Sequence, residues 1–150
     1  MSDERYMALA ISLGRRNLGQ TSPNPSVGCV LVKNDVIVGR GYTAPGGRPH
    51  AETQALKQAG SVANGSTAYI TLEPCSHEGK TPPCAQALVE AGVKRAVIAT
   101  IDPDKRVNGK GISILEAAGI EVKVGVLAEQ ASLDHCLLYT SDAADDWSSG

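Results

Sequence analysis

Residues 67–100 read TAYITLEPCSHEGKTPPCAQALVEAGVKRAVIAT, and their pattern indicates the fold class. The run TAYITL (67–72) is typical of a buried strand, and RAVIAT (95–100) is a second such run. Between them, PPCAQALVEAG (82–92) has proline at its start and glycine at its end, which is the pattern of a helix. A strand, a helix and a second strand of these lengths predict a crossover unit with parallel strands.

The alternation of helices and strands continues on both sides of this unit. Apolar residues at helical spacing predict helices, and β-rich runs around a tight turn predict a hairpin. The further predicted elements are a helix from Ser2 or Asp3 to Gly19, a hairpin of VGCVLV (27–32) and VIVGRGY (36–42), a helix HAETQALKQAG (50–60), a helix GISILEAAG (111–119) and a strand EVKVGV (121–126). Together they predict an α/β fold, a three-layer α/β/α sandwich with a mixed five-stranded sheet.

Composition excludes several classes of function. The formal net charge is −2, and the aromatic residues are four Tyr, one Trp and no Phe, so neither a phosphate-backbone footprint nor a base-stacking platform is evident. No nucleic-acid partner is therefore expected. No apolar run of about 18 residues is present, and the start MSDERYMALA lacks the positive charge of a signal peptide. We expect a cytoplasmic protein without a membrane partner.

The chain length of 150 residues suits one domain. We assign residues 1–135 to that domain and residues 136–150, CLLYTSDAADDWSSG, to an atypical tail without clear periodicity. The tail resembles the conceptual translation of a common sequencing-library adapter. The nucleotide sequence of the gene tests this interpretation of the tail as non-native.

Three side chains form a candidate metal site. Cysteines in a chain with no secretory signal indicate metal ligands, core residues or reactive thiols, and Cys29, within an apolar strand, is interpreted as a core residue. His50, Cys75 and Cys84 each follow a proline at the end of a predicted element, so we expect them at the same edge of the sheet. A catalytic zinc takes three protein ligands and leaves a fourth position for water. The sequence therefore predicts that these three residues bind Zn²⁺.

The spacing of His50 and Glu52 indicates the chemistry. Side chains two apart in a regular helix point in different directions, so these residues must straddle the helix start. Glu52 in the first turn can then reach a water bound by zinc, whose pKa the metal lowers from about 15.7 to near 7. H-x-E followed by P-C and a later cysteine is the order found in zinc deaminases, in which the glutamate moves protons. The pattern predicts hydrolytic deamination with Glu52 as the catalytic residue.

The segment between the two cysteines narrows this prediction. TLEPCSHEGKTPPC (71–84), with TSPNPSVGCVLV (21–32) upstream and HAE (50–52) between, resembles the deaminase domain of riboflavin biosynthesis enzymes. The resemblance implies a cytidine deaminase-like fold. It also implies deamination of a phosphorylated pyrimidine, 2,5-diamino-6-(5-phosphoribosylamino)pyrimidin-4(3H)-one, to the corresponding uracil. Many bacteria fuse this domain to an NADPH-dependent reductase. The 150 residues contain no reductase, so only the first step is expected.

The resemblance implies site residues as well. It places the zinc ligands on His50, Cys75 and Cys84 and the proton shuttle on Glu52. The implied substrate contacts are Asn24, His77, Lys80 and Asp102. The alternative from the sequence alone is turn formation for Asn24 and Asp102 and a solvated loop for His77 and Lys80.

Two positions depart from the family pattern. Thr43 stands where many relatives have histidine, which removes one substrate contact. Asp104 stands where many have asparagine. It places a carboxylate where a phosphate-bearing substrate approaches, which weakens binding unless Lys105 or Arg106 offsets the charge. Neither departure touches the zinc chemistry.

Two other functions stay open at this point. Deaminases of cytosine, guanine or tRNA adenosine share the fold, but they usually pair their cysteines as C-x-x-C, whereas eight residues separate Cys75 from Cys84 here. A zinc-stabilised module without catalysis would not need Glu52. Folds of this kind often associate, so a homo-oligomer is compatible with either function.

Overall fold

The computed structural model describes residues 2–17, 26–76, 82–103 and 108–132. Its helices and strands alternate as the sequence predicts, and short 3₁₀ turns join some of them. The elements are α1 (Asp3–Gly14), β1 (Gly28–Lys33), β2 (Val36–Tyr42), α2 (Ala51–Ala59), β3 (Thr67–Leu72), α3 (Cys84–Glu90), β4 (Arg95–Thr100), α4 (Lys110–Ala117) and β5 (Glu121–Val124), with 3₁₀ turns at Arg15–Asn17, Pro45–Gly47 and Gly60–Ala63.

The five strands form one mixed sheet in the order β2-β1-β3-β4-β5. Strand β1 is antiparallel to β2 and β3, whereas β3, β4 and β5 are parallel. Asn34 and Asp35 join β1 to β2 with φ angles of 52° and 61°. Two central residues with positive φ define a tight turn whose twist suits a hairpin. The predicted hairpin and the predicted mixed five-stranded sheet are confirmed.

Helices cover both faces of the sheet, which gives the three predicted layers. One apolar cluster joins α1 to one face, through side chains such as Met7 and Val30. The other cluster joins α2, α3 and α4 to the opposite face, where Cys29 and Ile70 are fully buried. Cys29 is therefore a core residue, as predicted.

Helix α1 is shorter than the predicted helix. Its α-helical part ends at Gly14, and a 3₁₀ turn follows at Arg15–Asn17. The Ser26 hydroxyl donates a hydrogen bond to the Gly14 carbonyl, which satisfies one of the carbonyls that a helix end leaves open. A side chain 12 residues further along the chain thus helps to end the helix. The periodicity of α1 alone does not reveal this hydrogen bond. The predicted end at Gly19 lies outside the described residues.

Helix α2 lies unusually close to β2, and this contact positions its N-terminus. A Cβ atom at Gly41 would lie 2.2 Å from the Ala51 carbonyl oxygen, so only glycine permits this approach. The N-termini of α2 and α3 and the C-terminal end of β3 come together at one edge of the sheet. In open α/β sheets, this edge is where ligands bind. No helix in the described ranges is long and apolar enough to cross a membrane.

Candidate metal centre

The start of α2 carries the H-x-E pair. His50 is the N-cap residue, with extended φ and ψ angles of −71° and 161°, and its side chain makes no capping hydrogen bond. Glu52 lies in the first helical turn and is 4% exposed. The change from extended to helical backbone between these residues lets both side chains serve one site. The two residues straddle the helix start, as the sequence predicts.

Both cysteines are held by the start of α3. Pro83 is the N-cap of this helix, and Cys84 is its first residue. The Cys84 N–H donates to the Cys75 Sγ atom at 3.1 Å, and the Ala85 N–H donates to the Cys75 carbonyl at the same distance. These two bonds fix Cys75 against the helix N-terminus, where the partial positive charge favours a thiolate.

The imidazole and the two thiols form a compact group. Their ligand atoms all lie within 4.8 Å of one another, and Cys84 Sγ lies 3.5 Å from His50 Nδ1. Tetrahedral zinc with bonds of about 2.0–2.3 Å requires ligand atoms roughly 3.5–4 Å apart. One imidazole nitrogen and two thiolate sulfurs are ligands that zinc prefers. The group fits a zinc ion with little movement.

The metal-free site has strongly perturbed acidities. Burial raises the pKa of Glu52 to about 7. A hydrogen bond with Cys84, supported by His50, lowers the pKa of Cys75 to about 4. The pKa values of Cys84 and His50 are both raised, in each case mainly by the hydrogen bond to Cys75. Of the two thiols, Cys75 is therefore the stronger acid, and a metal ion that binds both sulfurs would displace the proton of Cys84.

The predicted substrate contacts have different outcomes. Asn24, His77 and Lys80 lie outside the described residues, so their roles stay predictions. Asp102 is half-buried just after β4, at the same edge of the sheet, and it is not part of the metal-binding group. Its N–H donates to Glu73 Oε1 at 3.1 Å.

Of the two departures from the family pattern, Thr43 is described and Asp104 is not. Thr43 is buried, and its hydroxyl accepts a hydrogen bond from the Val27 N–H at 2.9 Å. This side chain thus binds the backbone just before β1.

Glu73 is a buried residue of this region that the sequence reasoning missed. It is 5% exposed, and its carboxylate accepts hydrogen bonds from four backbone N–H groups. The signal was present in the sequence, because a glutamate directly after the buried run TAYITL needs partners. Those partners come from the segment after β4, which no local pattern identifies.

Comparison with known proteins agrees with this geometry. Residues 1–100 match the sequence model of the family described as the cytidine and deoxycytidylate deaminase zinc-binding region. The riboflavin biosynthesis protein RibD of Aquifex aeolicus is 54% identical over 129 residues, which cover 86% of this chain and 36% of that protein. The diaminohydroxyphosphoribosylamino-pyrimidine deaminase of Buchnera aphidicola (subsp. Schizaphis graminum) is 50% identical over 131 residues, which cover 87% of this chain and 89% of that protein.

A solved structure is also similar to the chain in both sequence and fold. The structure of Acinetobacter baumannii RibD superimposes with a TM-score of 0.84 at 54% identity, and the match covers 87% of this chain and 36% of that one. The chain thus spans about a third of the length of the RibD proteins and nearly the whole length of the Buchnera protein.

Proposed function

The chain belongs to the cytidine and deoxycytidylate deaminase zinc-binding family, and from this premise we propose that it is a zinc-dependent hydrolase of a riboflavin precursor. Its reaction is the deamination of 2,5-diamino-6-(5-phosphoribosylamino)pyrimidin-4(3H)-one to 5-amino-6-(5-phosphoribosylamino)uracil. The observation that carries the proposal is the meeting of His50, Cys75 and Cys84 within 4.8 Å at the helix start that also carries Glu52.

Three side chains would hold the metal. His50 supplies one imidazole nitrogen, and Cys75 and Cys84 supply two thiolate sulfurs from the two ends of the β3–α3 connection. Zinc, when bound, acts as a Lewis acid that lowers the pKa of a coordinated water to near 7. The fourth coordination position left by three protein ligands is what distinguishes a catalytic from a structural zinc site.

Glu52 would move the protons of the reaction. Its burial keeps the carboxyl pKa at about 7 in the metal-free protein, so the side chain exchanges a proton readily near neutral pH. It accepts a proton from the attacking water and delivers it to a ring nitrogen of the pyrimidine. It then takes the remaining proton from the hydroxyl now bound to the ring carbon and passes it to the amino group, which leaves as ammonia while the carbon keeps the water oxygen as a carbonyl. One water is consumed and one ammonia is released, so the atoms balance.

The substrate assignment is supported by two features. The chain covers 89% of a curated relative that is named for deamination of this phosphoribosylamino-pyrimidine. The segment of eight residues between Cys75 and Cys84 carries His77 and Lys80, which we propose as substrate contacts together with Asn24 and Asp102. A compact cation such as Lys80 suits the phosphate of the substrate.

The test is a substrate panel run on zinc-loaded protein. Release of ammonia is measured with the riboflavin precursor, cytidine, guanine and a tRNA hairpin. Turnover of the precursor with little or no turnover of the other three supports the proposal. Turnover of the other compounds without the precursor would keep the reaction class and overturn the substrate. If zinc is bound and none of the four compounds releases ammonia, the proposal is overturned and the chain is a zinc-binding module without catalysis.

A further inference from the structure

Glu73 binds a segment that is remote in sequence. It follows the last residue of β3 and precedes Pro74 and Cys75. Its Oε1 atom accepts hydrogen bonds from the N–H groups of Asp102 at 3.1 Å and Gly109 at 3.0 Å. Its Oε2 atom accepts from Gly111 at 2.9 Å and Ile112 at 3.3 Å, so one carboxylate holds both ends of the β4–α4 connection.

These bonds replace the missing N-cap of α4. Gly109 occupies the N-cap position with a φ of 81° and has no side chain to bind the first N–H groups of the helix. The Glu73 carboxylate binds these groups instead, and a negative charge at a helix N-terminus is favourable. Because a carboxylate already occupies these amides, the Gly109-Lys110-Gly111 sequence is a helix entry and not a phosphate-binding loop.

A second feature independently brings α4 against the same residues. A Cβ atom at Gly111 would lie 2.1 Å from the Pro74 carbonyl oxygen and 3.3 Å from Glu73 Cγ. Only glycine allows the helix backbone to reach the backbone that precedes Cys75. The sequence thus provides both the carboxylate and the space that this contact requires.

The contact fixes the position of Asp102. The Asp102 N–H shares Glu73 Oε1 with the Gly109 N–H, and the Asp102 carbonyl accepts a hydrogen bond from Asn108 Nδ2 at 3.1 Å. Glu73 therefore holds Asp102, just after β4, close to Gly109, at the start of α4. It lies two residues before the ligand Cys75. Cys75 itself is held separately, by the bonds to the start of α3.

We propose that Glu73 is a positioning residue that holds Asp102 at the sheet edge that also carries the metal centre and thereby sets the affinity for substrate, without a part in the chemical step. This inference rests on the proposed function, because Asp102 matters for affinity only if it borders the substrate. Glutamine at position 73 would accept two of the four N–H groups with its oxygen and turn its own N–H groups toward the other donors. Asp102 and the start of α4 would then no longer be held together by one side chain.

Steady-state kinetics of the zinc-loaded 150-residue chain test the proposal. E73Q should raise KM by about tenfold or more, the effect of one misplaced hydrogen bond, while kcat stays within about threefold. It should retain one zinc per chain. E116Q, which makes the same change at an exposed position on α4, should match the wild type in both constants. In a cycle with D102A, the two increases in KM should combine to less than their product.

The outcomes separate this inference from the proposed function. Amide hydrogen exchange at Gly109, Gly111 and Ile112 should quicken in E73Q whether or not the enzyme is active. Quickened exchange with an unchanged KM would overturn the positioning role, and loss of zinc would show that Glu73 acts through Cys75 instead. If E73Q does not fold, N108A is the second variant, because it removes the hydrogen bond from the exposed Asn108 side chain to the Asp102 carbonyl. An unchanged KM in N108A would also overturn the inference. A wild type that does not turn over the precursor overturns the proposed function itself.

Discussion

Replacing Glu52 by glutamine should stabilise the metal-free protein at alkaline pH. The carboxyl group is 4% exposed, and burial raises its pKa from 4.5 to about 7. A folded-state pKa above the unfolded value means that the folded protein binds more protons, so the free energy of unfolding falls as pH rises from about 4.5 to about 7. The difference between the two pKa values corresponds to at most about 3 kcal/mol. Above pH 7 the full penalty is present, and below pH 4.5 it is absent.

Urea unfolding of chelator-treated, reduced protein measures this effect. At pH 8.5 the E52Q variant should exceed the wild type by up to about 3 kcal/mol, and at pH 5 the two should be nearly equal. The exposed E116Q variant is the matched control and should show no such pH dependence. A stability difference between E52Q and wild type that is the same at both pH values would refute the assignment of a buried, raised-pKa carboxyl. A buried carboxyl group that lowers stability and is proposed to move protons is an example of the trade-off between stability and activity.

Three further predictions concern the metal ligands and the scaffold. C84A should lose zinc, measured by metal analysis after gel filtration, whereas C29A should keep one zinc per chain because Cys29 lies in the core; equal zinc content in both would contradict the ligand set. In metal-free protein at pH 6, iodoacetamide should modify Cys75 before Cys84, because hydrogen bonds lower the pKa of Cys75 to about 4 and raise that of Cys84; preferential labelling of Cys84 by mass spectrometry would reverse that order. D3N should lower the free energy of unfolding by about 1–2 kcal/mol at pH 7 without changing kcat, since Asp3 binds Arg95 through both carboxylate oxygens at 2.9 Å. Arg95 lowers the pKa of Asp3, so this loss should shrink as pH falls below about 4, and a loss independent of pH would exclude the ion pair as its cause.

Local patterns predicted the elements and the placement of His50 and Glu52 at a helix start. The hairpin followed from two β-rich runs around Lys33-Asn34-Asp35, and the structure shows the two positive φ angles that such a turn requires. The position of His50 and Glu52 followed from helix geometry, because side chains two residues apart can share a site only where the backbone changes direction. Each of these signals comes from residues only a few positions apart, which is the range over which sequence patterns carry information.

Contacts between distant parts of the chain were not predictable in this way. The bond between Asp3 and Arg95 joins residues 92 positions apart, and that between Glu73 and Gly111 joins residues 38 positions apart. Neither pair has a local pattern, because each partner alone is an ordinary acidic, basic or glycine residue. Such contacts depend on the order of strands in the sheet, which the alternation of elements restricts without fixing which side chains meet.

The direct test of the deaminase assignment is the activity of E52Q on the riboflavin precursor. The substitution keeps the size of the side chain and removes its ability to exchange a proton, so kcat/KM should fall by about 10²–10⁴-fold while zinc stays at one per chain. The three proposed zinc ligands are unchanged, which makes retained zinc the control for folding. Turnover within tenfold of the wild type, with zinc bound, would contradict proton transfer by Glu52 and with it the mechanism proposed for this site.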